Sequence, residues 1–350
     1  MSLFKHVEGA GVGTKQVRGE HLQDWHVIAK RLYFEEGKGV TEIAKYLFPE
    51  LPKEKAYNKV WSYLKIQPQR RGSVEVEIQP KPEKPEKPKK IEVVRNYEPT
   101  TVQSSWHRES IIRFAIVSDT HINSKFTQLT YLHNFYDLVA KRGITNVYHV
   151  GDVDEGEQMR IGHQYELYLQ GADDHLDEIV KNYPKRDGIV TSYITGNHDA
   201  SLMKRSGFSI GKALARERND MIYLGQDCAT VMLTPKCSML LSHPWDGSAY
   251  AISYKSQKMM DAISGGEKPN ILLIGHFHKA EYLFYRNIHC LQAGTFQAQT
   301  PFMRGKSLAA MMGGWIVEVE VGSNGEILRF VSEWIPYYQA IKDDWMNWRG

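Results

Sequence analysis

The strongest constraint on the fold is a recurring pairing. A short run of apolar and β-branched residues is followed at once by a cluster of polar, ligand-type side chains. Ile111–Val117 leads into Ser118, Asp119, Thr120 and His121. Asn146–Val150 leads into Gly151 and Asp152, and Ile189–Ile194 leads through Thr195 into Gly196, Asn197, His198 and Asp199. Later, His243 follows Leu241 and Ser242, and Gly275, His276, Phe277 and His278 follow Ile271–Ile274. Short apolar runs of this kind read as buried strands, and ligands in open α/β sheets gather at the carboxyl ends of strands. A single histidine there is more often a packing residue than a ligand. A series of such groups, each at a strand exit, predicts one shared crevice.

Between the early strands, Leu129–Lys141 and Gln164–Asn182 carry helical patterns. Further strands are expected at Ala229–Leu233, Ser238–Leu241, His289–Ala293, Trp315–Val321 and Ile327–Trp334. Alternation of strand and helix followed by many strands predicts an α/β domain of stacked sheets covered by helices, over residues 106–350.

The 350-residue length suggests about two domains, and the front of the chain reads differently from the body. From Glu20, the residues Leu22, Trp25, Ile28, Ala29 and Leu32 recur at helical steps. Gly37 and Gly39 break that run, and Thr41 is placed to cap a short second helix with Ile43, Ala44 and Leu47. A third helix is expected over 53–66, with Ala56, Val60, Trp61 and Leu64 on one face and Lys55, Asn58, Lys59, Ser62 and Lys65 on the other. Residues 20–70 thus read as a small all-α domain with a helix-turn-helix outline. Its third helix would either contact DNA or simply present a solvated basic face. Residues 1–70 hold 12 Lys and Arg against 8 Asp and Glu, a small excess. Residues 71–105 read as a linker, with PKPEKPEKPKK from Pro80 to Lys90. Proline and mixed charge favour an extended spacer there; a recognition peptide for a proline-binding partner is the alternative.

Three cysteines without a CxxC pair argue against a disulfide scaffold and for a reducing cytoplasm. No signal-peptide pattern and no apolar stretch long enough to span a bilayer is evident, so no membrane role is expected. The net charge of +3 excludes a polycation, and oligomeric state stays open.

Carboxylate, imidazole and amide oxygen suit borderline or hard divalent ions: manganese first, with iron or zinc as alternatives.

From about Ile111 to Pro336 the chain resembles the calcineurin-like metallophosphoesterase superfamily. The likeness is carried by Asp119-Thr-His121, Gly151-Asp152, Gly196-Asn197-His198-Asp199, the lone His243 and Gly275-His276-Phe-His278, in the family's order. The resemblance implies two stacked mixed β-sheets flanked by helices and a two-metal phosphoester hydrolase that activates water. It further implies that one ion takes Asp119, His121 and His278, the other takes Asn197, His243 and His276, and Asp152 bridges them. His198 would serve as proton donor near the leaving oxygen.

One departure bears on the substrate. The phosphoprotein-phosphatase branch continues its second motif as Gly-Asp-x-x-Asp-Arg-Gly. Here it reads Gly151-Asp152-Val-Asp154-Glu155-Gly156. Glu155 takes the place of the second Asp and is expected to orient His198, while Gly156 stands where the phosphate-gripping Arg would be. The loss leans the reading towards phosphodiesterase and nuclease-like members, a DNA nuclease or end-processing enzyme in particular. Two alternatives remain: a phosphomonoesterase whose helical module binds protein, and a DNA-binding regulator with a non-catalytic metallophosphoesterase-like scaffold. Lys204 and Arg205 are either phosphate contacts or ordinary surface charges. Glu157–Arg160 and His163 are candidates to line the cleft. Trp245 and Asp246 would touch substrate or close the rim. Asp154 and Asp199 are candidates to orient histidines, and His133, His149, His175 and His289 read as surface or packing residues. The aromatics Trp334, Tyr337, Tyr338, Trp345 and Trp348 read as cover for a sheet edge, with base stacking as the alternative.

Overall fold

The computed structural model describes residues 24–65, 100–104 and 106–349, which fall into two compact units divided near Glu92. Most of the expected linker, together with Leu22, lies outside the described residues.

The first unit is helical. Helix α1 (Asp24–Lys30) continues into a wider π-helical turn, Arg31–Glu35, and is followed by α2 (Val40–Leu47) and α3 (Lys53–Lys65). Ala29, Leu32, Ile43, Ala44, Phe48, Ala56, Val60 and Leu64 close a small core. Two expectations are corrected. Helix α2 starts at Val40 behind Gly39, so Thr41 sits inside its first turn and does not cap it. Trp61 is 41% exposed. The buried stripe of α3 runs Ala56, Val60, Leu64 at steps of four, which turns Trp61 outward to stack on Tyr57 at 6.4 Å.

The second unit has the expected architecture, two six-stranded mixed sheets flanked by helices. In chain order it holds β1 (Thr100–Gln103), β2 (Ile111–Val117), α4 (Leu129–Lys141), β3 (Asn146–Val150), α5 (Ala172–Asn182) and β4 (Val190–Thr195). Then come α6 (Asp199–Ser206), α7 (Ile210–Glu217), β5 (Met221–Gln226), β6 (Cys228–Thr234), β7 (Cys237–Ser242), α8 (Tyr254–Ala262) and β8 (Ile271–Ile274). After these come β9 (Ala280–Tyr285), β10 (Ile288–Ala293), α9 (Pro301–Gly305), β11 (Gly313–Val321), β12 (Ile327–Pro336) and a short 3-10 helix at Asp344–Trp348. One sheet runs β12-β11-β2-β3-β4-β5 and the other β1-β6-β7-β8-β10-β9.

The two-residue period of the strands builds the layers. In β2, Phe114 and Ile116 face the other sheet and meet Val231, Met239, Leu241 and Leu273. Ala115 and Val117 face the opposite way, against Leu132, Phe135 and Val139 of α4. Behind the second sheet, Met260 of α8 packs on Leu272, Ile274 and Cys290.

The helix expected over Gln164–Asn182 is shorter. Gly171 precedes Ala172 with φ of 105°, outside helical space, so only a single turn at His163–Tyr165 and then α5 form. Thr100–Gln103, the end of the expected linker, pairs in parallel with β6. Strands β5 and β9 were not anticipated either. The C-terminal aromatics mostly pack on the domain's own rings: Tyr337 on Tyr131 at 4.3 Å, Trp345 on Tyr168 at 4.9 Å, Trp348 on His133 at 3.9 Å. Among the described residues no helix is long and apolar enough to cross a membrane.

Candidate metal centre

Strands β2, β3 and β4 are neighbours and parallel, so their carboxyl ends deliver Asp119, Asp152 and Asn197 side by side. In the other sheet β7 and β8 are likewise parallel neighbours and deliver His243, His276 and His278. The two sets meet across the gap between the sheets. Asp119, His121 and His278 offer ligand atoms within 4.8 Å of one another, and so do Asp152, His243 and His276. His121 and His278 bring their Nε2 atoms to 3.1 Å. Asn197 Oδ1 lies 3.2 Å from His243 Nε2. Asp152 Oδ2 lies 3.0 Å from His243 Nε2 and 4.0 Å from His121 Nε2, between the two groups.

The backbone bends sharply to achieve this. Asp119, His121, Asp152, His276 and His278 all have positive φ, between 46° and 78°. Such conformations cost about 1–2 kcal/mol for a residue with a Cβ. Their concentration at one crevice fits a strained functional site.

The donor set fits cations. His243 Nδ1 donates to the Val150 carbonyl at 2.7 Å, which leaves the Nε2 lone pair facing the Asp152 and Asn197 oxygens. Three acceptors therefore converge with no donor among them, unless the imidazole takes a proton. Burial opposes charge on His243, but Asp152 outweighs it and raises the ring's pKa, so in the metal-free site a proton takes the place that a cation could hold. His278 Nδ1 is buried without a hydrogen-bond partner.

Around this set lies a hydrogen-bonded shell that the sequence showed only in part. The Glu155 carboxylate was expected to orient His198. Its Oε1 is 3.9 Å from His198 Nδ1, and the Glu155 main-chain carbonyl takes that hydrogen bond at 2.6 Å. The carboxylate instead accepts from His163 Nε2 at 2.7 Å and Gln297 Nε2 at 2.6 Å, and lies 2.8 Å from His121 Nδ1. Glu155 thus reaches the ligand-type His121 directly, as carboxylates behind metal-binding histidines do. Asp154 pairs with buried His175 at 2.8 Å. Asp199 holds no histidine. It accepts from the main-chain N–H groups of Asp154 and Gly196, both at 2.8 Å, fixing the two loops. Buried His149 lies 3.1 Å from Thr120 Oγ1, and burial drives its ring down to about 3. Gln297 gave no signal in sequence, because it lies far along the chain outside any motif.

The position of the missing phosphatase arginine has no room for a side chain. Gly156 has φ of 65°, and a Cβ there would lie closer than 3.0 Å to the His198 carbonyl oxygen and Ser201 Oγ. No side chain fits. Gly156→Ala is expected to cost at least ~2 kcal/mol, from left-handed strain and overpacking. Urea unfolding measures it, and a variant as stable as wild type contradicts this account.

A cleft of about 300 Å³ opens over the centre. His121, Asp152, His198, His276 and His278 form one part of its wall, and Arg160, Phe277, Phe302 and Met303 contribute further lining. Lys204 stands over the Trp245 ring at 4.0 Å, and Arg205 pairs with Glu157. Trp245 donates to Asp227 at 2.7 Å, and the Asp246 carbonyl lies 3.0 Å from His276 Nε2.

Stacked mixed sheets with histidine and carboxylate side chains clustered at their strand tips fit a metal-dependent phosphoester hydrolase. The calcineurin-like phosphoesterase superfamily domain matches residues 112–308, more than half of the chain, and the chain belongs to that superfamily. Members of the family depend on two metal ions. Similar solved structures include a novel archaeal phosphodiesterase, 12% identical, covering 64% of this chain and 100% of that chain at a TM-score of 0.36. A predicted phosphoesterase from Streptococcus pneumoniae TIGR4 is 12% identical, covering 65% and 99% at a TM-score of 0.33. Vps29 from Entamoeba histolytica, complexed with zinc, is 14% identical, covering 64% and 99% at a TM-score of 0.33. Likeness at this level carries no functional argument. No curated protein matches the sequence.

Proposed function

We propose that this phosphoesterase is a phosphodiesterase acting on nucleic acid. Asp119, His121 and His278 would hold one divalent ion, Asn197, His243 and His276 the other, and Asp152 both; manganese is the preferred identity. When bound, the ions would supply a water activated near neutral pH and positive charge for the phosphoryl oxygens. The chain's own residues do the rest. Asp152 also accepts the His198 main-chain N–H at 2.8 Å, so the shared carboxylate sets the position of the proton donor. His198 Nδ1 is committed to the Glu155 carbonyl, which leaves Nε2 to serve the leaving oxygen.

The observation that carries the diester reading is Gly156. The position that grips a phosphomonoester in the phosphatase branch has no room for any side chain. The nucleic-acid reading draws support from the first unit, where Lys55, Asn58 and Ser62 are exposed on α3. Lys59 is partly engaged within that unit, 4.2 Å above the Phe48 ring.

The test is an activity panel on the manganese-loaded full chain. Bis-p-nitrophenyl phosphate and DNA should be hydrolysed in preference to p-nitrophenyl phosphate. DNA binding should weaken steeply with salt and drop when residues 1–92 are removed. Hydrolysis of the monoester alone removes the diester reading, and DNA binding indifferent to salt or to the truncation removes the nucleic-acid reading.

A further inference from the structure

A phosphodiester entering this cleft presents non-bridging oxygens that the metal ligands themselves, being acceptors, do not hydrogen-bond. With Gly156 barred from carrying a side chain, the donor must come from elsewhere in the wall. Among the described residues lining the cleft, Arg160 is the one Lys or Arg. The alternatives raised by sequence are engaged away from it: Arg205 with Glu157, and Lys204 over Trp245.

Arg160 is also built to hold a pose. Its Nη2 donates to the Glu166 carboxylate, its guanidinium lies 4.4 Å from the centre of the Phe302 ring, and its side chain is 21% exposed. A guanidinium has five N–H donors, so the Glu166 contact leaves others available. The Glu166 and Phe302 contacts restrain the guanidinium, which removes part of the entropy a free arginine would lose on binding.

We propose that Arg160 forms an oxyanion subsite, donating to a non-bridging phosphate oxygen of the substrate while the metal centre engages the reacting phosphorus. Because Glu166 neutralises the guanidinium, Arg160 contributes directed hydrogen bonds more than net charge. The assignment rests on the metal-centre reading above.

Inorganic phosphate is the probe, titrated calorimetrically into the manganese-loaded full chain. R160M should weaken phosphate binding by about tenfold or more, the scale of a charge-assisted hydrogen bond. R160K should fall between R160M and wild type. E166Q keeps an acceptor for Arg160 but removes its counter-charge, so phosphate affinity should hold or tighten. If Arg160 served only as a structural partner of Glu166, R160M would lower the melting temperature and leave phosphate affinity unchanged. That result overturns the subsite, as does equal weakening in R160M and E166Q. Wild-type protein that binds manganese but no phosphate would defeat the metal-centre reading itself, and the subsite with it. Failure confined to the variants counts against Arg160 alone.

Discussion

Asp152→Asn should reduce phosphodiester hydrolysis by on the order of 10³, the upper range for removing one preorganised electrostatic group from a water-excluded site. The substitution is nearly isosteric at a residue that is 1% exposed, so packing is preserved. The amide oxygen can still accept from the His198 main-chain N–H. What disappears is the negative charge at Oδ2, which lies 3.0 Å from His243 Nε2 and 4.0 Å from His121 Nε2. One carboxylate, Asp119, would then face two divalent ions. The expected signature is lost turnover with metal content falling from two equivalents towards one, read by atomic emission on the dialysed protein. A variant with wild-type rate and two bound ions would mean that Asp152 is not shared between them.

His198→Ala should lower the rate by roughly 10²–10⁴, the usual contribution of a positioned general acid, while metal content stays at the wild-type level. The separation is possible because the contact to Asp152 runs through the His198 main-chain N–H, which alanine keeps. The side chain's own anchor is the Glu155 carbonyl at 2.6 Å. A proton donor matters in proportion to how poorly the leaving group departs unaided. The deficit should therefore be large for alkyl leaving groups, as in DNA, and small for p-nitrophenolate. Equal losses on both substrates, or loss of metal, would remove the proton-donor role and leave His198 as a structural or ligating residue.

The candidate metal centre is legible in the chain because its signal is local. Each apolar run and the ligand cluster after it are adjacent in sequence, so Asp119, Asp152, Asn197, His243, His276 and His278 announce themselves without any knowledge of the fold. Helix α4 was equally plain, since Leu129, Leu132, Phe135, Tyr136 and Val139 bury one face at helical spacing. The strands that carry no clear sequence signal, β1, β5 and β9, all lie at sheet edges. An edge strand pairs on one side only and buries less: Thr100–Gln103 is mostly exposed and no residue of Ala280–Tyr285 is fully buried, so neither shows a clean buried-exposed alternation.

Sequence by itself therefore determined which ligand-type side chains the crevice holds, the order in which strands deliver them, and the absence of an arginine at position 156. Tertiary structure decided what stands around them. It turned the Glu155 carboxylate towards His121 and gave His198 the Glu155 main-chain carbonyl instead. It brought Gln297 to Glu155 across 142 positions of chain, and it set Arg160 and Phe302 together in the cleft wall. The division follows from distance along the chain. Periodicity and motif spacing report on neighbours in sequence, whereas a carboxylate's partner or a cleft's far wall depends on which segments the packed sheets bring face to face.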